Sequence, residues 1–552
     1  MQGARRPMDQ AGAPADGAGG AGRDDALDDA LDWGHTTIPR AVARAAERFG
    51  GRPALVDGEV RLSFRELAAA GLAATRACMA SGVERGDRVA IWAPNAAAWV
   101  VAAIGLQGAG AALVPLNTRF KAAEAGYVLR RSAARLLFTV GEFLGVDYAA
   151  SLAGESLPAL RDVVTLEGAS ANATPWDAFL ARGAAVGEKE ARERAAAVAP
   201  DDLSDVMFTS GTTGYPKGVM TTHGQTLRVF DAWSRGAGIR AGDRYLIVNP
   251  FFHTFGYKAG WLACIQVGAT AIPHAVFDAG AVLARIEAER ISVLPGPPTL
   301  YQSLLAHPER ARSDLSSLRL AVTGAASVPV ELVRRMRSEL GFESVLTAYG
   351  LTESCGTVTM CLPTDDAETI ATTSGRAIPG VEVRCVDGAG REVPRGTPGE
   401  VWVRGFNVMR GYLDDPEETA KAVDADGWLH TGDVGVMDER GYLRITDRIK
   451  DMFIVGGFNC YPAEIENLMY RHGGIAQVAV VGVPDERMGE VGVAYVVPAP
   501  GARLAPEAVI AWCREHMANY KVPRRVEIVD ALPTNASGKV LKVELRRRAA
   551  PG

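Results

Sequence analysis

Helical periodicity and short apolar runs alternate through the first ~440 residues of the chain. That alternation argues for α/β architecture. Ile38 to Phe49 reads as a helix, and Val89 to Trp92 as a buried strand before Pro94. Val282 to Glu289 reads as a helix and Ile291 to Leu294 as the next strand. Leu318 to Val322 is expected to run as a strand into Gly324, with a helix from Val330 to Leu340 after Pro329. Ala96 to Leu116 carries no charge, but Gly105, Gly108 and Gly110 punctuate it and Pro115 closes it. A buried helix, a turn and a core strand fit it better than a membrane span. After about residue 380 the pattern changes. Val381 to Val386, the turn Asp387-Gly388 and Gly399 to Val403 read as a β-rich subdomain. From about residue 450 a separate alternation begins: helix at Ala463–Tyr470, strands at Val478–Val483 and Val491–Val497, helix at Ala505–His516. With 552 residues and roughly 150 per domain, three or four packed units are expected.

The densest chemical signal is Thr209-Ser-Gly-Thr-Thr-Gly-Tyr-Pro-Lys-Gly218, directly after an apolar run ending at Phe208. Three glycines and four Ser/Thr hydroxyls in ten residues give a loop with many donors and no bulk. Its backbone N–H groups can wrap phosphate oxygens, and Lys217 adds a mobile positive charge. The bland alternative is a Gly/Ser/Thr surface loop. It is not a Walker loop, which needs Gly-Lys-Ser/Thr at its end. Here Pro216-Lys217-Gly218 stands at that place, without the magnesium-holding hydroxyl.

Further motifs follow in order: Tyr349-Gly-Leu-Thr-Glu-Ser354, Thr431-Gly-Asp433, Asp447-Arg-Ile-Lys-Asp451 with Gly456-Gly-Phe-Asn459, and Pro533-Thr-Asn-Ala-Ser-Gly-Lys539. Together with the loop, they resemble the signatures of the adenylate-forming superfamily. That superfamily includes acyl-CoA synthetases, firefly luciferases and the adenylation domains of peptide synthetases. The resemblance runs from about residue 38 to 545. It implies ATP, Mg²⁺ and coenzyme A as cofactor and co-substrates of an acid–CoA ligase. It also implies a large N-terminal AMP-binding domain (33–448, two α/β sheets plus a β-rich subdomain) and a small mobile α+β C-terminal domain (449–552).

Residue roles follow from chemistry and resemblance together. Thr209, Ser210, Gly211, Thr212, Thr213, Gly214 and Lys217 are expected on the phosphates. Thr352 and Glu353, a hydroxyl beside a carboxylate, can hold a phosphate oxygen and Mg²⁺. Tyr349 offers a flat face for adenine, and small residues at Gly324, Ala325 and Ala326 let a base approach the backbone. Asp433 can accept both ribose hydroxyls. The resemblance implies that Arg448 contacts the ribose, that Lys450 is a hinge, and that Gly456 and Gly457 wall a pantetheine tunnel. Lys539 alone would read as a solvated lysine; the resemblance makes it the cation that bridges carboxylate and α-phosphate. No covalent enzyme nucleophile is required, and Cys355 is expected to be a small packing residue.

Asn249-Pro-Phe-Phe-His-Thr-Phe-Gly-Tyr-Lys258 resembles the acyl-site signature, with His253 near the carboxylate. No aspartate occurs from Asn249 to Trp261, where amino-acid-activating relatives pair the substrate amine. A hydrophobic or alicyclic acid is therefore expected, with Phe252, Phe255 and Tyr257 as apolar wall. Tyr257 and Lys258 are expected to be available to a keto or hydroxyl group. The stretch is similar to actinobacterial ligases for propanoate side chains of degraded steroid rings. The alternatives are a medium- or long-chain fatty acyl-CoA ligase and a non-catalytic nucleotide-binding homologue.

A net charge of −6 gives no general attraction for nucleic acid or anionic membrane. Seven dispersed cysteines read as reduced thiols in the cytoplasm. Residues 1–32 form a Gly/Ala/Asp-rich run without an apolar segment, read as a disordered tail. Oligomeric state has no signature in the sequence.

Overall fold

The computed structural model describes residues 32–209, 216–324, 328–448, 451–455, 458–517, 519–535 and 539–549. The expected N-terminal tail lies outside them, except Asp32. Two large sheets, a β-rich unit and a small C-terminal α+β domain make up the fold.

The first sheet is eight-stranded. Its order is Gly411–Tyr412, Lys217–Thr222, Leu203–Thr209, Ala112–Pro115, Arg88–Trp92, Leu136–Thr139, Asp162–Thr165, Thr174–Pro175. The pairings from Leu203–Thr209 to Thr174–Pro175 are parallel, and the two at the other edge are antiparallel. The second sheet joins two four-stranded groups through single bridges of Val293 to Tyr245 and to Leu320. Ile291 to Leu294, read as a strand from its apolar run, lies between them: Ser292 and Leu294 also bond to the flanking strands, although only Val293 pairs in register.

Local signals explain the elements well. Helix Ile38–Phe49 is capped by the Thr37 side chain and buries Ile38, Ala41, Val42, Ala45 and Phe49 along one stripe. Helix Ala97–Gly108 is buried on nearly every side, which accounts for its lack of charge. Its glycines are there for contact. A Cβ on Gly105 would overlap Ala74, and one on Gly108 would overlap Thr75, both on helix Phe64–Ala80. Strand Ala112–Pro115 follows, so this stretch is a helix, turn and core strand. Among the described residues no helix is long and apolar enough to cross a membrane.

Strands Val381–Val386, Gly399–Gly405, Leu429–Met437 and Leu443–Arg448 form an antiparallel sheet. One contiguous core spans Trp33 to Leu443. Two further clusters, from Phe453 to Val526 and from Ala479 to Ala549, belong to the C-terminal sheet and its helices. There Ile475–Asp485 and Gly489–Pro498 pair along their length, and Arg525–Ile528 runs parallel to the latter.

Candidate active site

Three parallel strands of the second sheet release the site residues from their C-terminal ends. Arg244–Ile247 leads into His253, Leu320–Gly324 ends at Gly324, and Ser344–Tyr349 ends at Tyr349. Ligand sites in open α/β sheets gather at that edge. The first sheet contributes the loop. Thr209 pairs directly with Lys217, so the two ends of the loop are held side by side. Ser210, Gly211, Thr212, Thr213 and Gly214 lie outside the described residues, as do Ala325, Ala326, Lys450, Gly456, Gly457 and the side chain of Arg448. The backbone of Arg448 pairs with Asp433.

Several expected residues are brought together. Tyr349 Oη donates to Asp433 Oδ2 at 2.6 Å. Asp433 is buried, and its backbone N–H donates to Thr431 Oγ1. The preceding Gly432 takes φ +67°, a left-handed turn that glycine adopts without strain. Glu353 sits in a single helical turn, Thr352–Ser354, with its carbonyl accepting from Met409 N–H at 2.9 Å. Lys217 forms an ion pair with Glu418 and lies 5.0 Å from the ring centroid of Tyr412. Tyr412 Oη in turn donates to Glu353 Oε1 at 3.0 Å. Lys217, Tyr412 and Glu353 thus form one connected row.

Tyr412 and Glu418 were missed by reading the sequence. Tyr412 lies on a two-residue strand added to the first sheet's edge, opposite Val219. So short a strand has no period to detect. Proximity to Glu353 and burial push the Tyr412 phenol well above its usual range, with burial the larger cause. The Glu418 carboxyl is held down at about 2, chiefly by its bond from Lys217.

His253 caps the next turn: its Nδ1 accepts from Phe255 N–H at 3.2 Å. A neutral ring with Nδ1 accepting carries its proton on Nε2. Burial, and then the charge of Lys539, pull the His253 pKa down to about 4. Lys539, from the C-terminal domain, is thus within electrostatic reach of the acyl motif. Its backbone is tied to the preceding segment: Thr534 bridges Val540, and Asn535 Oδ1 accepts from Lys539 N–H at 2.8 Å.

Phe252 and Phe255 are part-exposed beside His253. Tyr257 and Lys258 correct the expectation that they face a substrate. Both are essentially fully buried. Tyr257 Oη accepts from Gln107 Nε2 at 2.8 Å, and Lys258 Nζ pairs with Asp205 at 2.9 Å. They lie on a π-helical turn, Tyr257–Leu262, whose wide pitch is interrupted at Gly260. Cys355 is buried and packs between Thr226 and Lys258.

Residues 42–413 match the family of AMP-binding enzymes, and residues 464–539 match the AMP-binding enzyme C-terminal domain. The chain belongs to the AMP-binding enzyme family. It is 55% identical to a 3-[(3aS,4S,7aS)-7a-methyl-1,5-dioxo-octahydro-1H-inden-4-yl]propanoyl:CoA ligase of Rhodococcus jostii, over 93% of this chain and 98% of the relative. A Mycobacterium tuberculosis ligase of the same name is also 55% identical, over 92% and 98%. Among solved structures, an anthranilate CoA ligase in complex with anthranoyl-AMP superposes with a TM-score of 0.85 at 27% identity, over 93% of this chain and 97% of that one. As an AMP-binding acyl-CoA synthetase, the enzyme takes a carboxylic acid, ATP and coenzyme A as its substrates.

Magnesium is implied by the family. Among the described residues no group of three or more His, Cys, Asp or Glu gathers to hold a metal. Glu353, a lone carboxylate anchored by Tyr412, fits Mg²⁺ that takes most of its shell from phosphate and water.

Proposed function

We propose that this enzyme joins a hydrophobic, ring-bearing propanoic acid carrying ketone groups to coenzyme A by way of its acyl-adenylate. The observation that carries the chemistry is that Lys539, from the C-terminal domain, lies close enough for its charge to act on His253 of the acyl motif. A carboxylate oxygen attacks the α-phosphorus of ATP, and the bond to the β-phosphate oxygen breaks, releasing pyrophosphate. Two anions approach, so catalysis is positioning and positive charge. Lys539 spans carboxylate and α-phosphate. His253, neutral with its proton on Nε2, donates to the carboxylate. Thr209, Lys217 and the residues between hold the phosphates, while Thr352 holds a phosphate oxygen. Mg²⁺ on Glu353, when bound, neutralises phosphate charge. Tyr349 and the Gly324–Ala326 backbone receive adenine, and Asp433 with Arg448 the ribose.

In the second step the CoA sulfur attacks the acyl carbon, the bond to the AMP oxygen breaks, and the thiol proton is lost. Units 33–448 and 449–552 rotate against each other about Lys450, withdrawing Lys539 and bringing Gly456 and Gly457 to a pantetheine passage. Seven buried cysteines in no disulfide agree with a reducing compartment, which we take as the cytoplasm.

Support for the acid comes from the two relatives named for a dioxo-octahydroindenyl propanoyl group. The pocket chemistry agrees. Phe252 and Phe255 supply apolar wall, and the carboxylate of Asp205 is taken by Lys258 rather than offered to a substrate amine. The test is pyrophosphate release, with and without CoA, for the ring-bearing keto-propanoate, an aryl propanoate, octanoate and leucine. The bicyclic acid is expected to give the highest specificity constant. Octanoate ahead of it would return the enzyme to the fatty acyl ligases, and leucine ahead would refute the pocket reading.

A further inference from the structure

Lys258 is the most deeply buried cation of the site region, and the chemistry above makes no use of it. Its ammonium touches three chain segments at once. It lies 2.9 Å from Asp205 Oδ1, donates to Thr221 Oγ1 at 2.8 Å, and donates to Cys355 Sγ at 3.6 Å. Each contact stands just behind a residue proposed to handle ATP. Asp205 is on the strand that ends at Thr209, and Thr221 is on the strand that starts at Lys217. Cys355 follows the turn that carries Glu353 and takes φ +57°, the left-handed conformation that ends that turn. Lys258 itself is in the segment that begins at His253.

The rest of the cluster closes around this point. Asp205 accepts from Thr221 Oγ1 at 2.8 Å and from Ser204 Oγ at 2.7 Å. Thr226 Oγ1 lies 3.1 Å from Ser204 Oγ and 3.6 Å from Cys355 Sγ. Gln107 Nε2 donates to the Ser204 carbonyl at 3.1 Å and to Tyr257 Oη. Every one of these residues is buried. Burial opposes the charge on Lys258, but Asp205 and Cys355 together outweigh it and hold the ammonium's pKa above the ordinary lysine value.

A buried ion pair is a poor source of stability, because desolvation offsets its attraction. Its directional bonds instead fix which segments meet and in what register. We propose that Lys258, paired with Asp205, is a positioning residue: it locks the phosphate loop, the Glu353 turn and the acyl segment into one frame for adenylation. It touches no substrate atom. The inference rests on the functional reading above. Adenylation needs all three segments aligned, and a displacement of ~1 Å costs about 10²-fold in rate. Thioester formation from a ready-made adenylate does not use the pyrophosphate end of the site and is spared.

The experiment is the double variant Lys258→Met with Asp205→Asn. It removes both charges yet leaves Ser204 and Thr221 an amide partner. Thermal unfolding, ATP affinity by calorimetry, pyrophosphate release and thioester formation from supplied acyl-adenylate are measured against the wild type. Expected is a folded protein with kcat/KM for adenylation lowered at least tenfold, and thioester formation within threefold. A folded variant with wild-type adenylation, or with equal loss in both half-reactions, overturns the inference and leaves the functional reading standing. A wild type that releases no pyrophosphate with any acid overturns both. If the double variant does not fold, Thr221→Val removes the one hydroxyl that accepts from Lys258 and donates to Asp205. It is expected to show the same split at about threefold, and no split refutes the frame.

Discussion

Tyr349 Oη donates to Asp433 Oδ2 at 2.6 Å, tying the end of a parallel strand in the second sheet to the antiparallel sheet beyond it. That short bond to a carboxylate holds the ring of Tyr349 at a fixed angle beside the carboxylate proposed to receive the ribose. Tyr349→Phe keeps the ring and loses the bond. A hydrogen bond to a charged group contributes about 1.5–3 kcal/mol, so the KM for ATP is expected to rise roughly tenfold or more, with a smaller change in kcat. Steady-state kinetics at saturating acid check this; unchanged KM would remove the Tyr349–Asp433 pair from nucleotide binding.

Lys539→Ala should separate the half-reactions. Loss of one preorganised charge contact typically costs on the order of 10²–10³ in rate, and that loss should fall on adenylation while thioester formation from supplied acyl-adenylate survives. The same variant carries an independent readout. Since the Lys539 charge helps depress His253, the His253 pKa should move up in the variant, measured by NMR titration of its ring protons. A His253 pKa that stays where it is would show that the two residues do not meet in solution.

Lys217 is engaged with Glu418. To serve phosphate it must leave that partner. Glu418→Gln weakens the hold, so ATP affinity should increase by a few fold. Calorimetric titration with ATP decides, and weaker binding would mean that Glu418 is needed to aim Lys217.

His223 gives the acid limit of stability a definite sign. It is buried, its Nδ1 accepts from Ile38 N–H at 3.3 Å, and burial takes its pKa down to about 3. His253 is likewise depressed to about 4. In the unfolded chain both return to about 6.5, so between those values the unfolded state binds more protons. Stability is then full above about pH 6.5 and declines as the pH falls toward 4 and 3. His223→Asn keeps an acceptor and removes one titration, so denaturant midpoints at pH 7.5 and pH 5 should lie closer together than in the wild type. An unchanged gap would assign the acid sensitivity elsewhere.

Elements and residues whose signals are local were legible in the sequence. Helix Ile38–Phe49 and strand Val381–Val386 carry their own periods and boundaries. Tyr349, Glu353 and Asp433 stand in short motifs that alone read as ordinary turns, and it was the resemblance of the ordered set to a known family that put them in one site. Tertiary structure decided the rest. Ile291 to Leu294 has the composition of a strand and bonds to the strands on both sides, yet only Val293 pairs in register with them. Tyr412 and Glu418 join the site from an edge strand and the helix after it, with no periodic signal to announce them. Lys258 looked like a polar group awaiting substrate; a π-helical turn points it inward to Asp205, far earlier in the chain. The chain's local chemistry determined which groups were available for adenylate formation. Only the packing of two sheets and a second domain decided which of them come together and which are buried behind the site, because contacts between distant segments leave no period in a sequence.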